Sequence, residues 1–211
     1  MEKPIANTYH PPAPNFYAGR GIVVATHANL PHWNKAITAS FVTFRLADSL
    51  PQEELLKRLE RRGVDLGCEA ERIPLPRETI GESVSRPLVE DPIQSILDAG
   101  YGSCVLKDDA CRQIVEDALW HFAGERYALY AYVVMPNHVH ILFQPMEGWT
   151  LSEVVMSWKR FTARKINDRL AKEGTLWQKE SFDTLVRNER HFKTIVGYIK
   201  RNNPMTAWAF S

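Results

Sequence analysis

Apolar positions recur along this chain with two periods, and the periods alternate. Residues 39–46, Ala-Ser-Phe-Val-Thr-Phe-Arg-Leu, alternate and are rich in β-branched and aromatic types. They predict a strand, ended by Asp48-Ser49-Leu50-Pro51. Residues 52–62 predict a short charged helix with Leu55, Leu56 and Leu59 on one side. Residues 109–122 carry Ile114, Val115, Ala118, Leu119 and Phe122 at helical spacing. Two strands follow, 127–135 and 138–144, separated by the turn pair Pro136-Asn137. A helix capped by Ser152 runs to about Leu170 on a stripe of Leu151, Val154, Val155, Trp158, Phe161, Thr162 and Ile166. Residues 182–186 predict a short strand, and 190–202 a last helix that Asn202-Asn203-Pro204 ends.

That order predicts an α+β fold of the ferredoxin-like kind. It is a β-α-β-β-α-β antiparallel sheet with helices on one face, plus a C-terminal helix that carries Tyr198. Residues 1–30 are expected to form an extended tail, because Pro4, Pro11, Pro12 and Pro14 accompany little that builds a core. Residues 31–211 then form a single domain with an insertion at about 52–100. Its stretch 63–93 holds seven acids and four prolines with weak periodicity.

Composition excludes several classes. A chain that is 45% hydrophobic and 24% charged is ordinary for a globular protein. No apolar run approaches a membrane span, and no signal-peptide core precedes the domain, so no membrane partner and a cytoplasmic location are expected. Cys68, Cys104 and Cys111 lack the spacing of a zinc site or a disulfide frame. The net charge of +1 conceals an asymmetry. Residues 157–201 carry twelve Lys/Arg against five acids, a basic field suited to a polyanion.

The candidate chemistry lies in Val133-Val134-Met135-Pro136-Asn137-His138-Val139-His140-Ile141-Leu142-Phe143. Alternate residues of a strand share a face, so His138 and His140 project side by side while Val139 and Ile141 face a core. Two neutral imidazoles so placed are a pair of metal ligands. On the last helix, Tyr198 and Asn202 are four residues apart and share a face. Were that face to lie on the histidine strand, Asn202 would add an oxygen ligand beside a phenol. Such a nitrogen–oxygen set suits Mg²⁺ or Mn²⁺, which polarises a phosphodiester for in-line attack. Each residue also has a purely structural reading: a strand histidine, an amphipathic tyrosine, a helix-terminal asparagine.

The histidine segment resembles the HUH motif of single-tyrosine transposases. Tyr198-Ile199-Lys200-Arg201-Asn202 resembles the tyrosine helix of REP-associated tyrosine transposases. Residues 41–50, 157–162 and 176–183 are similar to that family as well, so the resemblance spans about 30–204 in the expected order. It implies a bacterial, nucleoid-associated, metal-dependent endonuclease and strand-transferase for single-stranded DNA bearing palindromic repeat hairpins. In it, Tyr198 forms a 5′-phosphotyrosine intermediate and His138, His140 and Asn202 hold Mg²⁺ or Mn²⁺. An extra Asn203 precedes Pro204, so either asparagine can be the third ligand; helix spacing favours Asn202.

For such a substrate, Lys159, Arg160, Arg164 and Lys165 are candidates to follow phosphates, and Trp158, Trp177 and Phe161 to stack on bases. Asn137, Gln178 and Arg45 are candidate polar contacts. The resemblance allows a monomer or a dimer, the monomer being favoured. The competing expectation is a domesticated protein that binds hairpins without cutting them. A histidine-triad nucleotidyl hydrolase would need a third alternating histidine, and position 142 is Leu.

Overall fold

The computed structural model describes residues 9–17, 37–50, 97 and 100–202, with the backbone alone for 24–27 and 31–34. The predicted helix at 52–62 and the stretch 63–93 lie outside the described residues. Among those described, a hairpin of β1 (Val24–His27) and β2 (Pro31–Asn34) precedes β3 (Ser40–Arg45). The chain continues through α1 (Asp109–His121), β4 (Tyr127–Val134), β5 (His138–Pro145), α2 (Leu151–Leu170), β6 (Phe182–Leu185) and α3 (Glu189–Asn202).

The sheet has the order β4-β5-β3-β6, and every neighbouring pair is antiparallel. That is the split βαβ arrangement expected from the element order. Strand alternation assigns the two faces. Val42, Phe44, Val139, Ile141 and Phe143 pack with Val115 and Leu119 of α1 and Val154, Trp158 and Ile166 of α2. Phe41, Val133 and Leu142 pack on the other side with Phe192, Ile195, Tyr198 and Ile199 of α3. The expected helix layer is therefore α1 and α2, and the terminal helix lies on the opposite face. The register of β4 shifts between Leu129 and Ala131, which places Tyr130 and Ala131 together on the α3 face.

Three expectations are corrected. First, the cap of α2 is Thr150, not Ser152. The Thr150 hydroxyl accepts from the Glu153 N–H at 3.2 Å, and the Glu153 carboxylate accepts from the Thr150 N–H at 2.9 Å. Second, the segment 1–30 is not simply an extended tail. Its residues 24–27 are β1, and its residues 9–17 strap the sheet edge. The Tyr9 ring meets Trp120 of α1, and its hydroxyl accepts from the Leu129 N–H at 3.0 Å. Beyond the β4 edge, the Asn15 N–H donates to Gln144 Oε1 at 2.6 Å and Phe16 meets Phe192 of α3.

Third, Trp158 and Trp177 are core residues, not exposed stacking platforms. They are 2% and 4% exposed. Each indole spends its N–H inside the protein: Trp158 donates to the Tyr127 hydroxyl at 3.0 Å and Trp177 to Thr162 Oγ1 at 2.9 Å. A buried indole needs such a partner, so both are fixed in place. Trp158 packs edge-on against Tyr127 and Phe143. Trp158→Ala is expected to cost about 3–5 kcal/mol of stability. A urea titration followed by circular dichroism measures it; a midpoint within error of the parent would refute the packing role.

Candidate metal and tyrosine site

The site begins with strand alternation on β5. Val139, Ile141 and Phe143 are drawn into the α1–α2 core, which turns His138 and His140 to the α3 face. Both imidazoles are fully buried. Their Nε2 atoms lie 3.0 Å apart. Each outer nitrogen is held: His138 Nδ1 by Asn137 Oδ1 at 2.8 Å, His140 Nδ1 by the Thr43 hydroxyl at 2.7 Å. The Asn137 amide is oriented in turn, because its Nδ2 donates to the Tyr101 carbonyl at 2.9 Å.

Burial sets the charge state. Desolvation pushes the His138 pKa down to about 3. It also holds His140 well below its ordinary value, with His138 beside it as a second cause. Both rings are neutral at neutral pH. The network is compatible with two tautomer sets. His138 Nδ1–H donates to Asn137, so its Nε2 is a lone pair and accepts from His140 Nε2–H. Thr43 then donates to His140 Nδ1. A threonine hydroxyl can also accept, so the same contact supports the other tautomer, in which both Nε2 lone pairs face one space. That donor set fits a divalent ion, with second-layer partners already in place.

Helix α3 brings the phenol to this pair. Phe192, Ile195, Tyr198 and Ile199 form its buried stripe. The Tyr198 hydroxyl lies 3.3 Å from His140 Nε2. Phe41 stacks on the His140 ring at 5.4 Å and meets Tyr198 edge-on at 6.3 Å. Asn202 shares the helix, half-buried, and its Nδ2 donates to the Tyr198 carbonyl at 3.1 Å. Groups of three or more His, Cys, Asp or Glu able to hold a metal are absent among the described residues. Asn203 lies outside the described residues.

The candidate DNA contacts divide. Arg160, Arg164 and Lys165 are exposed on α2. Lys159 is half-buried, and its ammonium donates to the carbonyls of Gln178 at 2.6 Å and Lys179 at 2.8 Å, so it ties down the loop before β6. Burial lowers its pKa to about 8. Asn137 is corrected, being fully buried with both ends of its amide used within the protein. Gln178 is half-buried, and its N–H donates to the Arg45 carbonyl at 2.9 Å. Arg45 pairs in register with His138. Phe161 is 41% exposed. Thr43 and Phe41 were not singled out from the sequence. The signal was available: they alternate with Arg45 on the strand that the histidine strand pairs with.

Residues 99–202 match the family described as transposase, IS200 like. That segment holds the histidine strand, the basic helix and the tyrosine helix. Over that segment the chain is similar to the IS200-like transposases. Among solved structures, one similar chain is a REP-associated tyrosine transposase bound to a REP hairpin. It is 14% identical, with 83% of this chain and 72% of that chain covered and a TM-score of 0.45. Another is a candidate transposase from Deinococcus radiodurans R1, 14% identical, with 80% and 92% covered and a TM-score of 0.37. No curated protein matches the sequence. No helix among the described residues is long and apolar enough to cross a membrane.

The neutral histidines carry a pH prediction. Their folded pKa values lie below the unfolded value of about 6.5. As pH falls below that, the unfolded chain binds protons that the native chain refuses. Stability is therefore full above about 6.5 and declines toward about 3, the value for His138. At pH 4.5, two units below the unfolded value, that residue alone is expected to contribute a loss of roughly 3 kcal/mol. Urea melts of chelator-treated protein at pH 7.5 and 4.5 measure it. His138→Gln should reduce the difference, and an unchanged pH dependence in that variant would contradict the assignment.

Proposed function

We propose that this chain is a metal-dependent endonuclease and strand-transferase for single-stranded DNA, of the REP-associated type, acting beside palindromic hairpins through a 5′-phosphotyrosine intermediate. One observation carries the reading. The Tyr198 hydroxyl and two neutral, converging imidazoles share one buried face of the sheet, with the hydroxyl 3.3 Å from His140 Nε2.

His138 and His140, with Asn202 or Asn203, are the residues that would hold Mg²⁺ or Mn²⁺. When bound, the ion supplies Lewis-acid polarisation of the phosphodiester. The chain's own residues do the rest. Asn137 and Thr43 keep the imidazoles oriented. Phe41 and α3 confine the Tyr198 side chain, which is 6% exposed, against that pair. A phenol is a weak nucleophile, with a pKa of about 10, so positioning must supply much of the rate. The Tyr198 oxygen bonds to phosphorus as the bond from phosphorus to the 3′ oxygen breaks. The phenol proton is balanced by the one gained at the departing 3′-hydroxyl. Reversal by a second 3′-hydroxyl rejoins DNA without another energy source, because the tyrosyl phosphodiester retains the energy of the original link.

Arg160, Arg164 and Lys165 offer an exposed cationic row for the hairpin backbone. The phenol reaches the histidines of its own chain, which supports a monomer that is complete in itself.

Two experiments test this. A hairpin oligonucleotide with single-stranded flanks, taken from repeats beside the gene, is incubated with Mn²⁺ and the protein. A covalent adduct is expected with the parent and none with Tyr198→Phe. Metal-independent hairpin binding by both, with no adduct from either, would favour a non-cleaving binder. Separately, replacing Arg160 and Arg164 with Ala should weaken binding and lower the slope of log K against log salt by about 1.5–2. An unchanged slope would remove those residues from the interface.

A further inference from the structure

The histidine face does not end at β3. Thr43, whose hydroxyl holds His140, pairs directly with Phe182 on the edge strand β6. Antiparallel partners point to one face, so His140, Thr43 and Phe182 form a row across three strands. Strands are about 4.8 Å apart, which puts the Phe182 backbone about 10 Å from that of His140. Arg45 and His138 form the adjacent row, two residues along.

Phe182 is 38% exposed, whereas the other large aromatics of this face, Phe41, Tyr130, Phe192 and Tyr198, are buried. A lone exposed ring needs no explanation by itself. Arg45 supplies the second observation. Its side chain is half-buried, and among the described residues it donates one hydrogen bond, a 3.4 Å contact to the Ser49 hydroxyl. No carboxylate pairs with it among the described residues. The nearby charge of Lys159 is of the same sign, although Glu180 acts on Lys159 in the opposite sense. A partly desolvated guanidinium is costly, and a bound anion relieves the cost.

An arginine in register with His138 and an accessible ring in register with Thr43, on the face that carries the histidines, match the two halves of a nucleotide: phosphate and base. We propose that Arg45 and Phe182 form a nucleotide seat, in which Arg45 binds a backbone phosphate and Phe182 stacks on one unpaired base beside the cleaved link. The seat rests on the single-stranded DNA reading above. Bases within a duplex have both faces covered, so the seat selects an unstacked nucleotide. Stacking tolerates any base, so the seat fixes which link reaches Tyr198 and leaves sequence to other contacts.

The test uses the full chain with Tyr198→Phe, so that binding is read without cleavage. The probes are hairpin oligonucleotides with a single abasic residue at each successive flank position. Phe182→Ala should bind the intact probe about tenfold more weakly, and Phe182→Trp should restore affinity. One abasic position should weaken the Phe182 protein yet leave Phe182→Ala no worse than on the intact probe. Equal affinity of the Ala variant and its parent overturns the seat, as does a uniform loss at every position with a lowered melting temperature. Adduct formation by the chain with Tyr198 intact is scored separately. An adduct without a Phe182 effect sinks the seat alone; absence of an adduct sinks the nuclease reading instead.

Discussion

The structure turns on the burial of two imidazoles side by side. Neither ring carries charge, and neither leaves a nitrogen unsatisfied. This arrangement survives only if a donor or acceptor meets each outer nitrogen, since an unmet polar atom in that place costs about 1–3 kcal/mol. Asn137 meets one from the turn and Thr43 the other from the next strand. Both depend on register. A slip of one residue between β3 and β5 would send Thr43 to the α1–α2 core and leave His140 without its partner. The pairing of these strands is therefore set by hydrophobic packing on one face and by imidazole hydrogen bonding on the other.

The same logic explains what could be read from the residues alone. β3, β5, α2 and α3 announce themselves through period, because each has one buried face and one that is not part of that core. The His138/His140 pair and Tyr198 follow from period as well, since alternation and helical spacing fix their directions. That α3 would cover the histidine face was a conditional expectation, settled by contacts far apart in the chain. Residues whose role depends on distant partners were not legible. Trp158 and Trp177 read equally as platforms or as core until Tyr127 and Thr162 are seen to take their N–H groups. Lys159 has the same sequence credentials as Arg160 and differs only in the loop carbonyls within its reach. Segment 9–17 has no periodic signal because its attachment is by single hydrogen bonds and two rings.

Helix α2 thereby serves two purposes with one sequence. Its inner stripe fills the core, and its basic residues divide between anchoring and display. Lys159 secures the loop that leads into β6, while Arg160 and Arg164, one and five residues further on, remain exposed. The loop so secured passes Arg45 and delivers Phe182 to the edge of the histidine face. Packing of α2 on one face of the sheet is in this way connected to the geometry of the opposite face through a short peptide segment rather than through the core.

The register shift in β4 has an effect of another kind. An edge strand ordinarily offers a ladder of amide groups to any chain that can align with it. Here the irregularity at Leu129–Ala131 breaks the ladder, and the Tyr9 hydroxyl occupies the Leu129 amide. The protein's own leading segment occupies one amide of that margin, so strand addition across Leu129 must displace Tyr9 first. On that side, the irregular register and the Tyr9 hydroxyl together leave a less regular ladder for strand addition.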